Sequence, residues 1–419
     1  MHLHHRSFLL SRITARVLGA HGVPHSLAAL GALVVLGACP TGDPMSTESG
    51  TDSTAGETET DTGEIDPSCE GLEVPALDEA SCQPLDSDYL PRDGSTEDPW
   101  PACVTDGGAY SLIADAPSSL ARVEAYEMIA ALLWSGTTPS AADFTAARDV
   151  YVTPEGLESR LVRREDLHYP PVDMADWDMM VDPDKQCTVE ANIEKYPDRC
   201  AGPARIGPLI VSAFAAGQTD DGDPAVNAAR VEAGLLWFLY LSAYKEANTC
   251  ATNKAKDCDS AWAYYTGGDD ISGGKGLADA VRGISVPSHE RIWDGILAVR
   301  CWRDLTRDGD MYPLLDELEA ADQLLFGQAA EQLDQGLHRG FARVVRARLE
   351  KMIAGKCDGT STAADWAFLQ TAGAVLDREA TERGVPEAAT LKALWALDAP
   401  NAQNLADGVL ALDAVFPCG

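Results

Sequence analysis

Phenol and carboxylate side chains are concentrated in one stretch of the chain. They end one helical pattern and begin the next, and they are Tyr240, Tyr244, Glu246, Asp259, Tyr264 and Tyr265. If two helices joined by a short loop pack antiparallel, these oxygen atoms can converge near one end. Oxygen ligands suit hard cations, and phenolate with carboxylate suits ferric iron in particular. The pattern therefore predicts a metal site at this turn. The alternative is that the tyrosines are core aromatics and the acids form a solvated face.

The elements that must hold these residues are helices. Apolar residues at helical spacing, with capping residues before them, predict helices and no sustained strand. The predicted helices cover about residues 120–134, 144–151, 155–168, 205–216, 225–247, 258–266, 288–306, 313–355, 361–382, 386–397 and 401–415. The stretch 313–355 is expected to break near Gly327 or Gly340, and residues 169–204 are expected to form a long loop. We predict an all-α fold.

A repeat indicates two lobes. Residues 258–267 resemble residues 362–371, with Trp262 and Trp366 in matching positions after long amphipathic helices. We therefore predict that residues 116–419 form a helical domain with two related lobes, at about 205–310 and 311–419. Chance similarity of alanine-rich helices is the alternative.

The same residues resemble a known family. Residues 230–246 and 259–267 look like the algal iron-assimilation proteins, which are secreted, low-iron- and high-carbon-dioxide-inducible and related to the phytotransferrins. That family repeats an acid, then Trp-Ala-aromatic-aromatic-Thr-Gly, after a helix that ends in an acid. The likeness extends over about residues 205–418. It implies ferric iron binding, with Glu246, Asp259 and Tyr265 as first candidate ligands and Asp365 as the counterpart in the second lobe.

The resemblance also implies a synergistic anion such as carbonate. Lys245 stands where the family helix has a histidine. A protonated lysine cannot coordinate iron, but it can hold an anion. Arg346 is a second anion candidate, and on a helix it can equally pair with surface acids.

The N-terminus predicts an anchored protein. Basic residues precede a short apolar run that ends in Leu-Gly-Ala-Cys39, which resembles a bacterial lipobox in which the cysteine is lipidated. The alternative is a plain signal peptide cut nearby. We expect residues 1–38 to be the signal peptide and residues 39–66 to be a disordered acidic tether rich in Thr, Glu and Gly. Pro40 lacks the acid that retains some lipoproteins at the inner membrane, so the expected location is the outer membrane of the cell envelope.

The cysteine count fits that compartment. The chain has 11 cysteines, which leaves an even number after lipidation of Cys39. Outside the cytoplasm this indicates disulfides. The predicted pairs are Cys187–Cys200, Cys250–Cys258 and Cys357–Cys418. Residues 67–115 are expected to be an irregular segment pinned by such bonds.

Charge narrows the function. The formal net charge of −34 argues against nucleic acid, whose binding needs a basic footprint. It favours cations as partners, although solubility alone also explains it. No G-x-S-x-G elbow is present, and His289-Glu290 lacks the second histidine of H-E-x-x-H. We expect a non-enzymatic, lipid-anchored protein that captures ferric iron or a similar hard cation for uptake. The alternatives are a structural or interaction lipoprotein without a ligand and a metal-dependent hydrolase. No protein partner is indicated.

Overall fold

The structure is a computed structural model that describes residues 65–79, 83–93, 98–154, 156–219 and 221–417. The described residues belong to one compact unit. Cys39, the predicted signal peptide and nearly all of the predicted tether lie outside them, as does Cys418. None of the described helices has the length and apolar character needed to cross a membrane.

Fourteen α-helices dominate the described residues, which contain no β-strand. The prediction of an all-α fold is confirmed. The helices are α1 Ser119–Leu133, α2 Ala141–Val152, α3 Leu157–Leu161, α4 Glu190–Lys195, α5 Gly207–Gln218, α6 Pro224–Thr252, α7 Asp257–Thr266, α8 Leu277–Arg282, α9 Val286–Leu305, α10 Ala320–Asp358, α11 Ala363–Val375, α12 Asp377–Arg383, α13 Glu387–Trp395 and α14 Ala402–Val415. The helices α4 and α8 lie in stretches that were not predicted to be helical. The division into two lobes stays a prediction.

Helix α6 is the scaffold for much of the molecule. Its N-terminus is fixed by Asp223, whose carboxylate accepts a hydrogen bond of 2.8 Å from the backbone N–H of Ala225, and by Pro224 in the first turn. Most of its residues are buried, because α5, α7, α10 and α11 all pack against it. A helix that is apolar on nearly all sides belongs in a core.

Helix α10 runs without a break, so the predicted interruption near Gly327 or Gly340 is wrong. Gly340 of α10 and Gly295 of α9 serve the packing of these two helices, whereas Gly327 has open space around it. A Cβ atom at Gly340 would lie 2.5 Å from Cδ1 of Ile292, and one at Gly295 would lie 2.6 Å from Cα of Leu333. The two helices approach so closely that no side chain fits at these points.

Helix α3 ends at Leu161 and does not continue to about residue 168 as predicted. The backbone oxygen of Arg164 accepts a hydrogen bond of 3.0 Å from Gly202. A Cβ atom at Gly202 would lie 2.1 Å from the carbonyl oxygen of Leu161. The chain near residue 202 therefore packs against the turn after α3. Residues 162–169 are irregular and run beside α6, where His168 stacks on Tyr244.

Four disulfides connect the described residues: Cys187–Cys200, Cys250–Cys258, Cys69–Cys357 and Cys103–Cys301. The first two confirm predictions. The predicted Cys357–Cys418 bond is wrong, because the start of the N-terminal segment lies beside the end of α10. There the backbone N–H of Asp66 donates to Lys356 at 3.1 Å, and the Asp66 carboxylate accepts from Ala402 at 2.9 Å. The described parts of residues 67–115 are irregular and pinned by disulfides, as expected.

Candidate functional site

A cleft of about 440 Å³ lies where the start of α1, the turn after α3, the end of α6 and the start of α7 meet. Its lining contains seven basic and four acidic side chains, whereas the whole chain has 32 Lys and Arg against 66 Asp and Glu. We call it the cationic cleft. The basic residues are Arg122, Arg160, Arg163, Arg164, Lys245, Lys254 and Lys256, and the acidic ones are Asp115, Asp184, Glu246 and Asp257.

Three of these cations are buried: Arg122, Arg164 and Lys245 are 3%, 2% and 9% exposed. Arg164 forms a salt bridge of 2.9 Å with Glu246. Within the described parts of the chain, neither Arg122 nor Lys245 forms a salt bridge with a carboxylate. Nε of Arg122 and Nε of Arg164 are also buried without a hydrogen-bond partner. Burying a charge without a partner costs free energy, so the cleft holds positive charge that its own acids leave uncompensated.

Neighbouring positive charges in this cleft lower the pKa of Lys245 and of Arg163. Burial lowers the pKa of Lys245, and the positive charge of Arg164 lowers it further. Burial and the nearby Arg160 have the same effect on the pKa of Arg163, whose Nε is buried and unpaired. A bound anion would relieve both the desolvation and the repulsion.

The start of α1 adds hydrogen-bond donors. Ser118 precedes the helix, but its side chain does not cap the first turn. It accepts a hydrogen bond of 3.3 Å from Arg122. The hydroxyl of Ser119 is buried and has no hydrogen-bond partner. Both serines line the cleft, so the positive end of the α1 dipole faces it. A helix N-terminus beside basic side chains favours an oxyanion.

The acids of the cleft are only partly available to balance these cations. Glu246 is engaged by Arg164. The pKa of Asp257 is raised to about 6, first by burial and then by the negative charge of Glu246. The negative charge of Glu246 therefore opposes the ionisation of Asp257, which loses its charge in mildly acidic solution.

The cleft contains three of the residues predicted to bind a ligand: Lys245, Glu246 and Tyr264. Tyr264 is 2% exposed, and the guanidinium carbon of Arg164 lies 5.3 Å from its ring centroid. The phenol also lies close enough to Arg122 and Arg164 to interact electrostatically with both guanidinium groups. It therefore belongs to a group of cations, which attracts anions and opposes a metal ion.

The other predicted metal ligands lie elsewhere. The carboxylate of Asp259 accepts hydrogen bonds from the hydroxyl of Tyr110 at 2.9 Å and from the backbone of Ile113 and Ala114, both at 3.0 Å. It holds the segment that forms one wall of the cleft. The hydroxyl of Tyr265 lies 2.9 Å from Nδ1 of His289 and is fully buried.

The remaining two predicted site residues lie in the C-terminal part of the chain, where each forms salt bridges outside the cationic cleft. Asp365 forms salt bridges with Arg348 at 3.1 Å and Lys351 at 2.9 Å, beside a different cavity. Arg346 bonds Asp413 at 3.0 Å and the backbone oxygen of Pro75 at 2.7 Å. The predicted ligands Glu246, Asp259, Tyr264, Tyr265 and Asp365 thus do not form one ligand set.

Sequence reasoning found Lys245 but missed the arginines of the cleft. The signal was present, because Arg160, Arg163 and Arg164 stand within five positions in a strongly acidic chain. The predicted helix would place these three side chains, at positions i, i+3 and i+4, on one face, which is also typical of a solvated helix surface. Arg122 gave no signal, because it lies inside an ordinary amphipathic pattern.

Comparisons with protein-family models, with curated protein sequences and with solved structures found no match for this chain. The resemblance to the algal iron-assimilation proteins stays a prediction from short motifs.

Proposed function

We propose that this is a lipid-anchored, extracytoplasmic binding protein that captures a small oxyanion with at least two negative charges. The observation that carries the proposal is the buried positive charge of Arg122 and Lys245, which form no salt bridge with a carboxylate of the described chain. An oxyanion in the cleft supplies the missing partner through charge-assisted hydrogen bonds.

The lining also limits the ligand class. Arginine presents a planar fork of donors that matches the paired oxygens of sulfate, phosphate and carboxylate groups. The cleft volume of about 440 Å³ lies within the range of about 300–1,000 Å³ that is typical of small-molecule sites. The acidic surface of the rest of the chain repels anions, so positive potential confined to one cleft would direct them there. We propose binding without turnover, as the sequence predicts.

The sequence predicts ferric iron together with a synergistic anion. The present proposal retains the anion and places no metal ion in the cleft. Two predicted iron ligands, Glu246 and Tyr264, do line it. Glu246 is taken by Arg164, however, and Tyr264 is surrounded by guanidinium groups. A trivalent cation placed there would be repelled by at least three buried positive charges.

A titration with sulfate tests the binding proposal. The double variant Arg163→Gln, Lys245→Gln lacks two charged donors. A hydrogen bond from each charged donor to the anion contributes about 1.5–3 kcal/mol to the free energy of binding. We expect the affinity for sulfate to fall by roughly 100-fold or more, since about 1.4 kcal/mol corresponds to a factor of ten. Isothermal titration calorimetry on the purified protein measures this effect.

The matched control is Arg307→Gln, which alters an exposed arginine that pairs with Asp310 outside the cleft. We expect it to leave sulfate binding unchanged. If the wild-type protein takes up neither sulfate, phosphate nor citrate, the oxyanion proposal fails, and the structural or interaction lipoprotein becomes the better hypothesis.

The anchor is a separate part of the proposal, supported by the sequence before residue 66. The described chain begins beside Cys69, which is bonded to Cys357, so a tether over residues 39–66 would join the folded unit there. Mass spectrometry of the mature N-terminal peptide should find lipid on Cys39, and Cys39→Ser should release the protein from membranes. A mature N-terminus without lipid would contradict the anchor and leave the cleft proposal intact.

A further inference from the structure

Three possible metal ligands lie next to one another beside α6: His168, Asp334 and His338. Nε2 of His168 is 3.0 Å from Oδ1 of Asp334, and Nδ1 of His338 is 3.2 Å from the same oxygen. Asp334 and His338 stand one turn apart on α10 and therefore share a face of that helix. His168 comes from the irregular chain after α3.

These distances suit a small divalent ion. Zinc lies about 2.0–2.1 Å from histidine nitrogen and 2.0–2.2 Å from carboxylate oxygen, so tetrahedral ligand atoms are about 3.3 Å apart. The two observed separations need only small movements to reach that value. Two imidazoles with one carboxylate is also the donor set of zinc and ferrous sites that keep an open position.

Each imidazole also has a carboxylate beside its other nitrogen. Nδ1 of His168 is 2.6 Å from Asp166, and Nε2 of His338 is 3.9 Å from Glu379. Metal-bound histidines commonly have a hydrogen-bonded carboxylate at the nitrogen that does not bind the metal, which fixes the tautomer and the ring orientation. Asp166 holds this position for His168, whereas Glu379 lies too far from His338 for a hydrogen bond. The ring of His168 is held further by Tyr244, at 3.8 Å between parallel ring centroids.

We propose that His168, Asp334 and His338 bind one divalent transition-metal ion such as Zn²⁺, with Asp166 as the positioning residue for His168. A cation near these residues, Arg378, forms salt bridges with Glu379 and Glu382, so its charge is balanced. The ion would fasten the irregular residues 162–169 to α10. That segment carries Arg163 and Arg164 of the cationic cleft, although the metal site itself uses different side chains.

The competing arrangement is a set of hydrogen bonds without metal. Burial lowers the pKa of His168, but the hydrogen bonds to Asp166 and Asp334 outweigh it, and the pKa is raised to about 9. His338 Nδ1 is 2.9 Å from the backbone oxygen of Asp334 and can donate to it. A metal ion would replace the protons on Nε2 of His168 and Nδ1 of His338. Direct titration with metal therefore distinguishes a metal site from a set of hydrogen bonds.

The test starts from protein freed of metal by a chelator and titrated with Zn²⁺ or Co²⁺. We expect one ion per chain, a visible absorption spectrum of tetrahedral Co²⁺, and a higher melting temperature with Zn²⁺. The variants Asp334→Asn and His338→Gln should abolish all three signals. Asp166→Asn should weaken binding by about 10- to 100-fold, as expected for a positioning carboxylate.

The matched control is Glu331→Gln, an exposed carboxylate on the same helix, which should change nothing. Equal uptake by wild type, Asp334→Asn and His338→Gln would assign the ion to surface acids and overturn the proposal. Because the substitution of a buried residue can unfold the protein, a measurement on the wild-type protein provides a second test of the site. The X-ray absorption spectrum of the zinc-loaded protein should show two imidazole ligands, and an oxygen-only shell or no uptake would refute the site.

Discussion

The cationic cleft and the cavity beside α11 both contain arginine, lysine and carboxylate side chains but differ in how their charges are paired. The second cavity, of about 600 Å³, lies between α6, α10 and α11. There Arg348 bonds Glu232 at 2.7 Å and Asp365 at 3.1 Å, and Lys351 bonds Asp365 at 2.9 Å. Among the buried cations of the cationic cleft, only Arg164 has a carboxylate partner in the described chain. The larger cavity is balanced internally, so charge pairing, more than volume, distinguishes a binding cleft from a structural cavity.

The same comparison explains the two acids of the predicted repeat. Asp259 and Asp365 both stand in the first turn of a helix, three residues before Trp262 and one residue before Trp366, respectively. Asp259 accepts hydrogen bonds from the backbone of residues 113 and 114, whereas Asp365 accepts from Arg348 and Lys351. A similar motif thus serves two different anchoring contacts.

Removing the charge of Asp365 should leave the second cavity with two cations, Arg348 and Lys351, against the single carboxylate of Glu232. Asp365→Asn leaves Arg348 and Lys351 with one carboxylate fewer. Because Lys351 is largely exposed and Asp365 is 9% exposed at its side chain, we expect a loss of about 1–3 kcal/mol in the free energy of unfolding. Sulfate should then stabilise the variant more than it stabilises the wild type, since a second anion site has been created.

Urea unfolding with and without sulfate measures both effects. The control is Asp310→Asn, which removes an exposed partner of Arg307 and should change neither quantity. If Asp365→Asn is destabilised but gains nothing from sulfate, unpaired cations are not sufficient to make an anion site in this protein. Charge pairing would then not distinguish the binding cleft from the structural cavity.

Acidity should strengthen the cationic cleft through Asp257. The pKa of this carboxyl is raised to about 6 by burial and by Glu246, while Lys254 and Lys245 oppose the rise. As the pH falls through about 6, Asp257 becomes neutral, the cleft becomes more positive, and sulfate should bind roughly three- to tenfold more tightly. Sulfate suits the measurement because its own charge stays constant over this range.

The variant Asp257→Asn mimics the protonated carboxyl at every pH. It should bind sulfate at neutral pH as tightly as the wild type does in mild acid, with a flatter pH profile measured by calorimetry. An unchanged slope in this variant would assign the pH dependence to another group.

Local patterns were sufficient to predict the fold class and most of the helices, but not α4, α8 or the site. Apolar periodicity and capping residues predicted all-α structure, and short loops predicted Cys187–Cys200 and Cys250–Cys258. The Cys69–Cys357 bond joins residues 288 positions apart, and no local signal reports such a distance. The cleft could not be predicted for the same reason, because its cations come from α1, α3 and the turn after it, α6 and the loop that follows α6. Gly202 packs closely against the end of α3 and the turn after it, a contact between distant segments that local sequence patterns do not reveal.

The smallest expected effect is also the most specific, because it concerns one hydroxyl group. Ser119 Oγ is buried and has no hydrogen-bond partner in the free protein, so Ser119→Ala should leave the free energy of unfolding unchanged or slightly raise it. If an oxyanion accepts a hydrogen bond from this hydroxyl, the variant should lose about 0.5–1.5 kcal/mol of sulfate binding, a factor of roughly 2 to 12. Ser272→Ala, an exposed serine bonded to Asp270, is the matched control for both measurements. A hydroxyl with a purely structural role would give the opposite pair of results, with lower stability and unchanged sulfate affinity, and the start of α1 would then play no part in anion binding.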